Sequence, residues 1–286
     1  MTLYCDGHER QTNWRTRFAP SPTGNLHLGH AYSALTVWAF AGQSPDHFVL
    51  RIDDLDHTRC RSEYTEQIYT DLQWLGISWA SEPRFQSERL ATYAAALAQL
   101  KDLDLVYPCY LSRTELSDIL SAPHGLTKPI PSTRHSLSYA EQKTRQAAGQ
   151  IPAWRLDMEK AIQHVGQLTW IKHDGANCPA DPSRFGDVII ARKDLQASYH
   201  LSVVIDDNQD DIDLVVRGKD LEDATHLHRL LQAILALPAP RYYHHDLICD
   251  DTGKRLAKRD DARSIIHYRK QGVTLSDLKD MLPNLP

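Results

Sequence analysis

The chain has 286 residues, 42% of them apolar and 24% charged, a globular composition that excludes disorder as a description of the whole. Its apolar runs fall well short of the roughly 18 residues a membrane helix needs, so no membrane association is expected. The net charge of −5 excludes a protein that coats nucleic acid indiscriminately and leaves any RNA contact to a local basic patch.

Residues 1–15 read as a loose polar leader with no apolar secretory core. Residues 16–19 predict a short strand, after which Pro20, Pro22 and Gly24 force a turn. An unbroken apolar and small stretch predicts a helix over 28–40, closed by Gly42. A buried strand follows at 47–53. Helices follow at 65–76, with Gly76 as the stop, and at 87–104. This alternation predicts an α/β fold with a Rossmann-type parallel sheet. Residues 121–153 are rich in Pro, Ser, His and Gly, and short strands are expected at 153–158, 168–173 and 187–193. We therefore divide the chain into a first Rossmann half (1–106), an inserted α+β subdomain (107–195) and a second half (196–286). In the second half, 199–207 and 213–218 read as strands and 223–237 as a helix. A basic loop at 253–259 and a short helical tail follow. The five cysteines, Cys5, Cys60, Cys109, Cys178 and Cys249, form no C-x-x-C pair and favour a reducing cytoplasm over a disulfide framework.

Four segments carry candidate chemistry. His27-Leu28-Gly29-His30 follows a strand and a Pro/Gly turn and opens a helix. That places two imidazoles and backbone N–H groups where a helix attracts phosphate. Gly29 allows close approach of a ligand. Arg51-Ile52-Asp53-Asp54-Leu55-Asp56 ends a strand in three carboxylates, at the sheet edge where open α/β folds bind ligands, and a carboxylate there can hold an ammonium group. Apolar residues run from Tyr199 through Asp206-Asp207, and a strand ends at Arg217, which can grip a carboxylate in bidentate fashion. The loop Gly253-Lys254-Arg255-Leu256-Ala257-Lys258-Arg259 holds four cations in six positions and can clamp a triphosphate. Each segment alone also fits a solvated surface or a helix cap.

Together, and in this order, the segments resemble the class I aminoacyl-tRNA synthetases of the glutamyl/glutaminyl branch. RFAPSPTGNLHLGHA is similar to that branch's HIGH motif, RIDDLD to its RIED-type strand, SYHLSVVIDD with VVRGKDL to its amino-acid pocket, and RLAKR to its KMSKS loop. The likeness spans about residues 15–265. It implies activation of L-glutamate by ATP with Mg²⁺, then transfer to RNA. It also implies roles: His27, Gly29, His30, Arg255 and Lys258 on ATP, with His27, His30 and Lys258 catalytic. Arg17 would take the side-chain carboxylate of glutamate, with Ala19 and Ser21 beside it. Asp53 and Tyr199 would hold the ammonium group, and Arg217 would fix the substrate's position. Adenylation of this kind needs positioning and electrostatics rather than a covalent nucleophile.

The sequence also departs from the family pattern. Asp53 stands where a glutamate is common, and Arg255 and Ala257 replace the first lysine and the serine of the KMSKS loop. Many short members carry zinc on C-x-C and a later Tyr-x-x-x-Cys. Here Leu111 replaces the second cysteine, only Cys109 remains, and no structural zinc is expected. Only 27 residues follow Arg259, fewer than an anticodon-reading domain needs. This resembles the shortened branch that attaches glutamate to the queuosine base at the wobble position of tRNA(Asp). The expected RNA partner is then the tRNA(Asp) anticodon loop, and a cytoplasmic monomer is implied. The alternatives are a truncated enzyme that charges a tRNA 3′ end and an inactive tRNA-binding paralogue. Arg59, Arg61, Lys193 and Arg229 are candidate RNA contacts.

Overall fold

The computed structural model describes residues 13–112, 114–116, 132–192, 197–248 and 264–286. Strands β1 (Thr16–Phe18), β2 (Phe48–Ile52) and β3 (Arg84–Phe85) form a parallel set in that order, with Arg17 opposite Val49. Parallel neighbours need crossovers, and helices α1 (Leu28–Phe40) and α2 (Ser62–Trp74) supply them. Every residue of β1 and β2 is buried, as expected of strands covered on both faces. Gly42 and Gly76 follow the helix ends with left-handed φ of 65° and 76°, the conformation that lets glycine terminate a helix cheaply.

Helix α3 (Leu90–Asp102) leads into a different region. Strands β4 (Val106–Cys109), β5 (Ala153–Leu156) and β8 (Ile189–Ala191) pair antiparallel in the order β4-β5-β8, and β6 (Thr169–Ile171) pairs with β7 (Asn177–Pro179) as a hairpin. Helices α4 (Tyr139–Ala147) and α5 (Met158–Val165) lie among them. Parallel pairing resumes with β9 (Leu214–Gly218) and β10 (Arg241–His245), linked by helix α7 (Ala224–Ile234). The two parallel sets meet where the Asp213 N–H donates to the Arg15 carbonyl at 3.0 Å. Short helices α8 (Ile265–Lys270) and α9 (Leu275–Asp280) follow. Their Ile265 and Leu278 enter the core formed by α1, β1, β2 and β9. Burying each such aliphatic side chain contributes roughly 1.5–3 kcal/mol. No described helix is long and apolar enough to cross a membrane.

One expected element is wrong. Residues 199–207 are not a strand but the start of helix α6 (Tyr199–Gln209). The run Val203-Val204-Ile205 has strand propensity, but these residues and their neighbours from Leu201 to Asp207 are all buried. A helix buried on every side shows no amphipathic period, so its sequence does not announce it. The consequence is chemical. Asp206 and Asp207, successive on a helix, point about 100° apart and, among the described residues, share only Arg51 as an ion-pair partner.

Candidate active site

A cavity of about 530 Å³ opens at the C-terminal ends of β1, β2, β9 and β10. Its wall includes Arg17, Ala19, Ser21, His27, Gly29, His30, Asp53, Tyr199 and Arg217. Nine of the expected site residues therefore converge on one space. Arg255 and Lys258 lie outside the described residues, as does Lys193.

Beneath the cavity runs a chain of alternating charges. Arg17 Nε donates to Asp207 Oδ1 at 2.9 Å, and Arg51 Nη1 donates to the same oxygen at 2.7 Å. Arg51 Nε in turn donates to Asp53 Oδ1 at 2.7 Å. Asp206 faces the other way and accepts from Tyr93 Oη at 2.8 Å, Gln86 Nε2 at 2.7 Å and Arg89 Nη1 at 3.1 Å. Pairing of this kind offsets the cost of burying charge. Burial pushes the Asp53 carboxyl up to about 6, against the pull of Arg51. Burial also acts to raise Asp207, but Arg17 and Arg51 outweigh it and hold that carboxyl below its ordinary value. Asp53 is thus the more readily protonated of the pair, and it is the one on the cavity wall.

Arg217 is held differently. Its Nη2 donates to Thr225 Oγ1 at 2.8 Å, its Nη1 faces His228 Nδ1 at 3.1 Å, and its Nε donates to His244 Nε2 at 3.4 Å. The guanidinium also lies 5.5 Å from the centre of the Tyr242 ring. These partners are all uncharged, and no carboxylate of the described residues forms an ion pair with Arg217, although it is only 5% exposed. Burial and the nearby Arg217 push His244 down to about 3 and His200 down to about 4, with His228 well below its ordinary value, so the imidazoles stay neutral. A buried cation without a counter-charge is costly, and an anion placed beside it would offset that cost. Arg17 is bonded through Nε to Asp207 and through Nη1 to the Val216 carbonyl at 3.1 Å, and its Nη2 has no hydrogen-bond partner among the described residues.

The two histidines at the start of α1 cap that helix reciprocally. The Gly29 N–H donates to His27 Nδ1 at 3.1 Å, and the His27 N–H donates to His30 Nδ1 at 3.2 Å. This corrects the expectation that these backbone groups are open to phosphate, because both are taken. With each Nδ1 an acceptor, the ring protons of the neutral imidazoles sit on Nε2. The ring centroids lie 3.8 Å apart with the planes tilted by 36°. A Cβ on Gly29 would approach His27 Cε1 to 3.0 Å, so the glycine serves the histidine ring as much as any ligand.

Of the other carboxylates after β2, Asp54 accepts from the Ser87 N–H at 2.9 Å and ties this loop to the segment after β3, whereas Asp56 accepts from Thr58 at 2.6 Å and Arg59 at 2.7 Å and stabilises a local turn. Arg229 donates to the Thr169 carbonyl at 3.0 Å. Cys109 is buried with Tyr107 and Leu111, and Leu116 and Leu137 pack on them.

A second cavity, of about 510 Å³, shares Ser21, Asp53 and Tyr199 with the first and adds Gln86, Arg155, Ser198 and His200. Arg155 Nε and Ser198 Oγ are buried there without a hydrogen-bond partner among the described residues. Sequence reasoning missed Arg51, Asp207, Thr225, His228 and His244 as parts of the site. One signal was present: an arginine inside the apolar strand FVLRI must be paired.

Comparison with known proteins gives a consistent picture. Residues 13–282 match the family described as tRNA synthetases class I (E and Q), catalytic domain. The glutamyl-Q tRNA(Asp) synthetase of Rhodobacter capsulatus is 42% identical over 274 residues, covering 93% of this chain and 99% of the relative. The glutamate–tRNA ligase of Synechococcus sp. (strain JA-3-3Ab) is 37% identical over 276 residues, covering 94% of this chain but 56% of the ligase. The crystal structure of the glutamate–tRNA synthetase from Elizabethkingia anophelis superposes with a TM-score of 0.72 at 29% identity, over 87% of this chain and 53% of that one.

Proposed function

Because the chain belongs to the class I tRNA synthetase family of the glutamate and glutamine branch, we propose that it activates L-glutamate with ATP and passes the glutamyl group to the queuosine base at the wobble position of tRNA(Asp). The chain is a ligase of the aminoacyl-tRNA synthetase type. The observation that carries the amino-acid half of the reading is the pair Arg17 and Arg217, opposed to Asp53, on one cavity wall. Two guanidiniums and one carboxylate complement a substrate with two carboxylates and one ammonium.

Arg17 takes the side-chain carboxylate of glutamate through Nη2, and Arg217 fixes the substrate through the second N–H on each Nη. Asp53, ionised, receives the ammonium group together with the Tyr199 hydroxyl, and Ala19 and Ser21 line the adjoining wall. An oxygen of the α-carboxylate then attacks the α-phosphorus of ATP. The bond to the bridging oxygen of the β-phosphate breaks, and pyrophosphate leaves. His27 and His30 donate from Nε2 to the charge that develops on the α-phosphate. Lys258 and Arg255 are assigned to the β- and γ-phosphates on the motif alone. Mg²⁺ bound with ATP would neutralise charge on the phosphates as pyrophosphate leaves. In the second step an acceptor hydroxyl attacks the acyl carbonyl and AMP leaves, its phosphate taking the hydroxyl proton. The second cavity, which shares its wall with Asp53 and Tyr199, is where the acceptor is proposed to sit.

The queuosine acceptor is supported by the higher identity to the R. capsulatus enzyme than to the Synechococcus ligase, 42% against 37%. The similarity to that ligase favours a second reading, charging of a tRNA 3′ end. Labelled glutamate and ATP separate the two. Transfer to an anticodon stem–loop of tRNA(Asp) that contains queuosine and has no CCA end is expected. Transfer only to the 3′ end of intact tRNA would replace this reading with the second. Absence of glutamate-dependent ATP–pyrophosphate exchange would leave neither.

A further inference from the structure

We infer that His228 and His200 form a two-imidazole relay, with the ring protons fixed on Nε2, that positions Arg217 for substrate. The inference rests on the reading of Arg217 as a glutamate-binding residue. It starts from hydrogen-bond roles. A guanidinium can only donate, so His228 Nδ1, 3.1 Å from Arg217 Nη1, must be the unprotonated acceptor. The proton of neutral His228 is therefore on Nε2, which faces His200 Nδ1 at 3.1 Å. His200 must then accept at Nδ1 and carry its own proton on Nε2. The order Arg217 to His228 to His200 leaves no alternative assignment while the rings are neutral. Burial and Arg217 together keep both rings below their ordinary pKa, so the neutral state is the resident one.

The remaining partners agree with this direction. Thr225 Oγ1 accepts from Arg217 at 2.8 Å, and its own proton is then free for His244 Nε2 at 3.1 Å, which also receives Arg217 Nε. Three nitrogens of one guanidinium are thus committed to three neutral acceptors, from α7 and β10. The rotamer of Arg217 is fixed without spending its charge. Carboxylates in those positions would hold the arginine as well but would cancel the charge that attracts substrate. His228 consequently acts through Arg217 and His200 acts through His228; both are positioning residues.

The relay separates two substitutions of similar size. In His228→Asn the side-chain oxygen occupies the position of Nδ1 and can still accept from Arg217, whereas His228→Leu cannot. In ATP–pyrophosphate exchange, His228→Leu is expected to raise the glutamate KM about tenfold or more, with kcat and the ATP KM within about threefold of the parent, while His228→Asn stays within about threefold throughout. If the leucine variant does not fold, His200→Leu and His200→Asn repeat the comparison at the half-buried end of the relay. The ¹⁵N spectrum of the histidine rings supplies a readout independent of substrate: His228 should show Nδ1 unprotonated and Nε2 protonated. Equal defects in the asparagine and leucine variants, an unmoved glutamate KM in both, or a proton on His228 Nδ1 would overturn the relay. A wild-type protein with no glutamate-dependent exchange but with the expected ring spectrum would instead overturn the proposed function and leave the relay standing.

Discussion

Arg17 and Arg217 line the same cavity, yet their substitution should have opposite structural costs. Arg17 is one of two cations on buried Asp207, so Arg17→Ala leaves that carboxylate with Arg51 alone. Breaking a buried pair costs about 3–5 kcal/mol, and urea unfolding should register a loss in that range. The same variant should lose about 2–5 kcal/mol of transition-state binding for glutamate, read from kcat/KM, and should discriminate less against glutamine. Arg217→Met removes a buried cation that has no carboxylate partner among the described residues. Its Tm should stay level or rise, while glutamate kcat/KM falls about a hundredfold or more. A large fall in Tm would show that the charge of Arg217 is compensated after all. Asp53 makes the same conflict visible as pH. Its carboxyl, raised to about 6, stabilises the fold while protonated, and that contribution is lost as pH rises through 6. Its proposed function needs the ionised form. The logarithm of kcat/KM for glutamate should therefore fall with unit slope below about pH 6, and Asp53→Asn should be weaker at pH 8 but lack that limb.

At the scale of elements, the first half of the fold is legible because its signals are local. The Pro/Gly turn, the unbroken run to Phe40 and the stops at Gly42 and Gly76 mark β1, α1 and α2 to within a few residues. Helix α6 is not legible, because burial of every residue from Leu201 to Asp207 erases its period. Site residues that terminate strands, such as Arg17, Asp53 and Arg217, can be picked out from chain position. Their partners cannot: Asp207, His228 and His244 reach the site from elements with no fixed spacing to the strands they serve. Gly218 belongs to the same class. A Cβ there would lie 2.5 Å from Asp220 Oδ1, two residues on, and 2.8 Å from Leu247 Cδ2 in a distant segment. Strand β4 carries a prediction of its own. Cys109 and Leu111 sit with Tyr107 in an apolar cluster, where packing can hold what a metal would otherwise hold. Metal analysis of the purified protein should find no stoichiometric zinc, and a chelator should leave Tm unchanged. One tightly held zinc per chain would refute this.

Across the whole molecule, the net charge of −5 leaves RNA binding to a few exposed cations, among which Arg59 is exposed but paired with Asp56. Four phosphate contacts on a single-stranded loop would give a salt slope of only about −3 in log–log form, so transfer to the stem–loop should weaken with a shallow slope while glutamate-dependent exchange, whose charges are mostly buried, should not follow it. A slope several times steeper would point to a larger basic surface. The chain of charges that underlies the cavity also has a history in time. Arg17 and Asp207 are 190 positions apart, and Arg51 and Asp207 are 156 apart. At a synthesis rate of roughly 5–20 residues per second, Arg17 leaves the ribosome about 10–40 s before its partner exists. Until then its guanidinium must remain hydrated, and the first parallel strands cannot close over it without burying an unpaired cation. Closing the half of the site written first before Asp207 exists would therefore carry the cost of an unpaired buried cation, which favours assembly of the site after the second half is made.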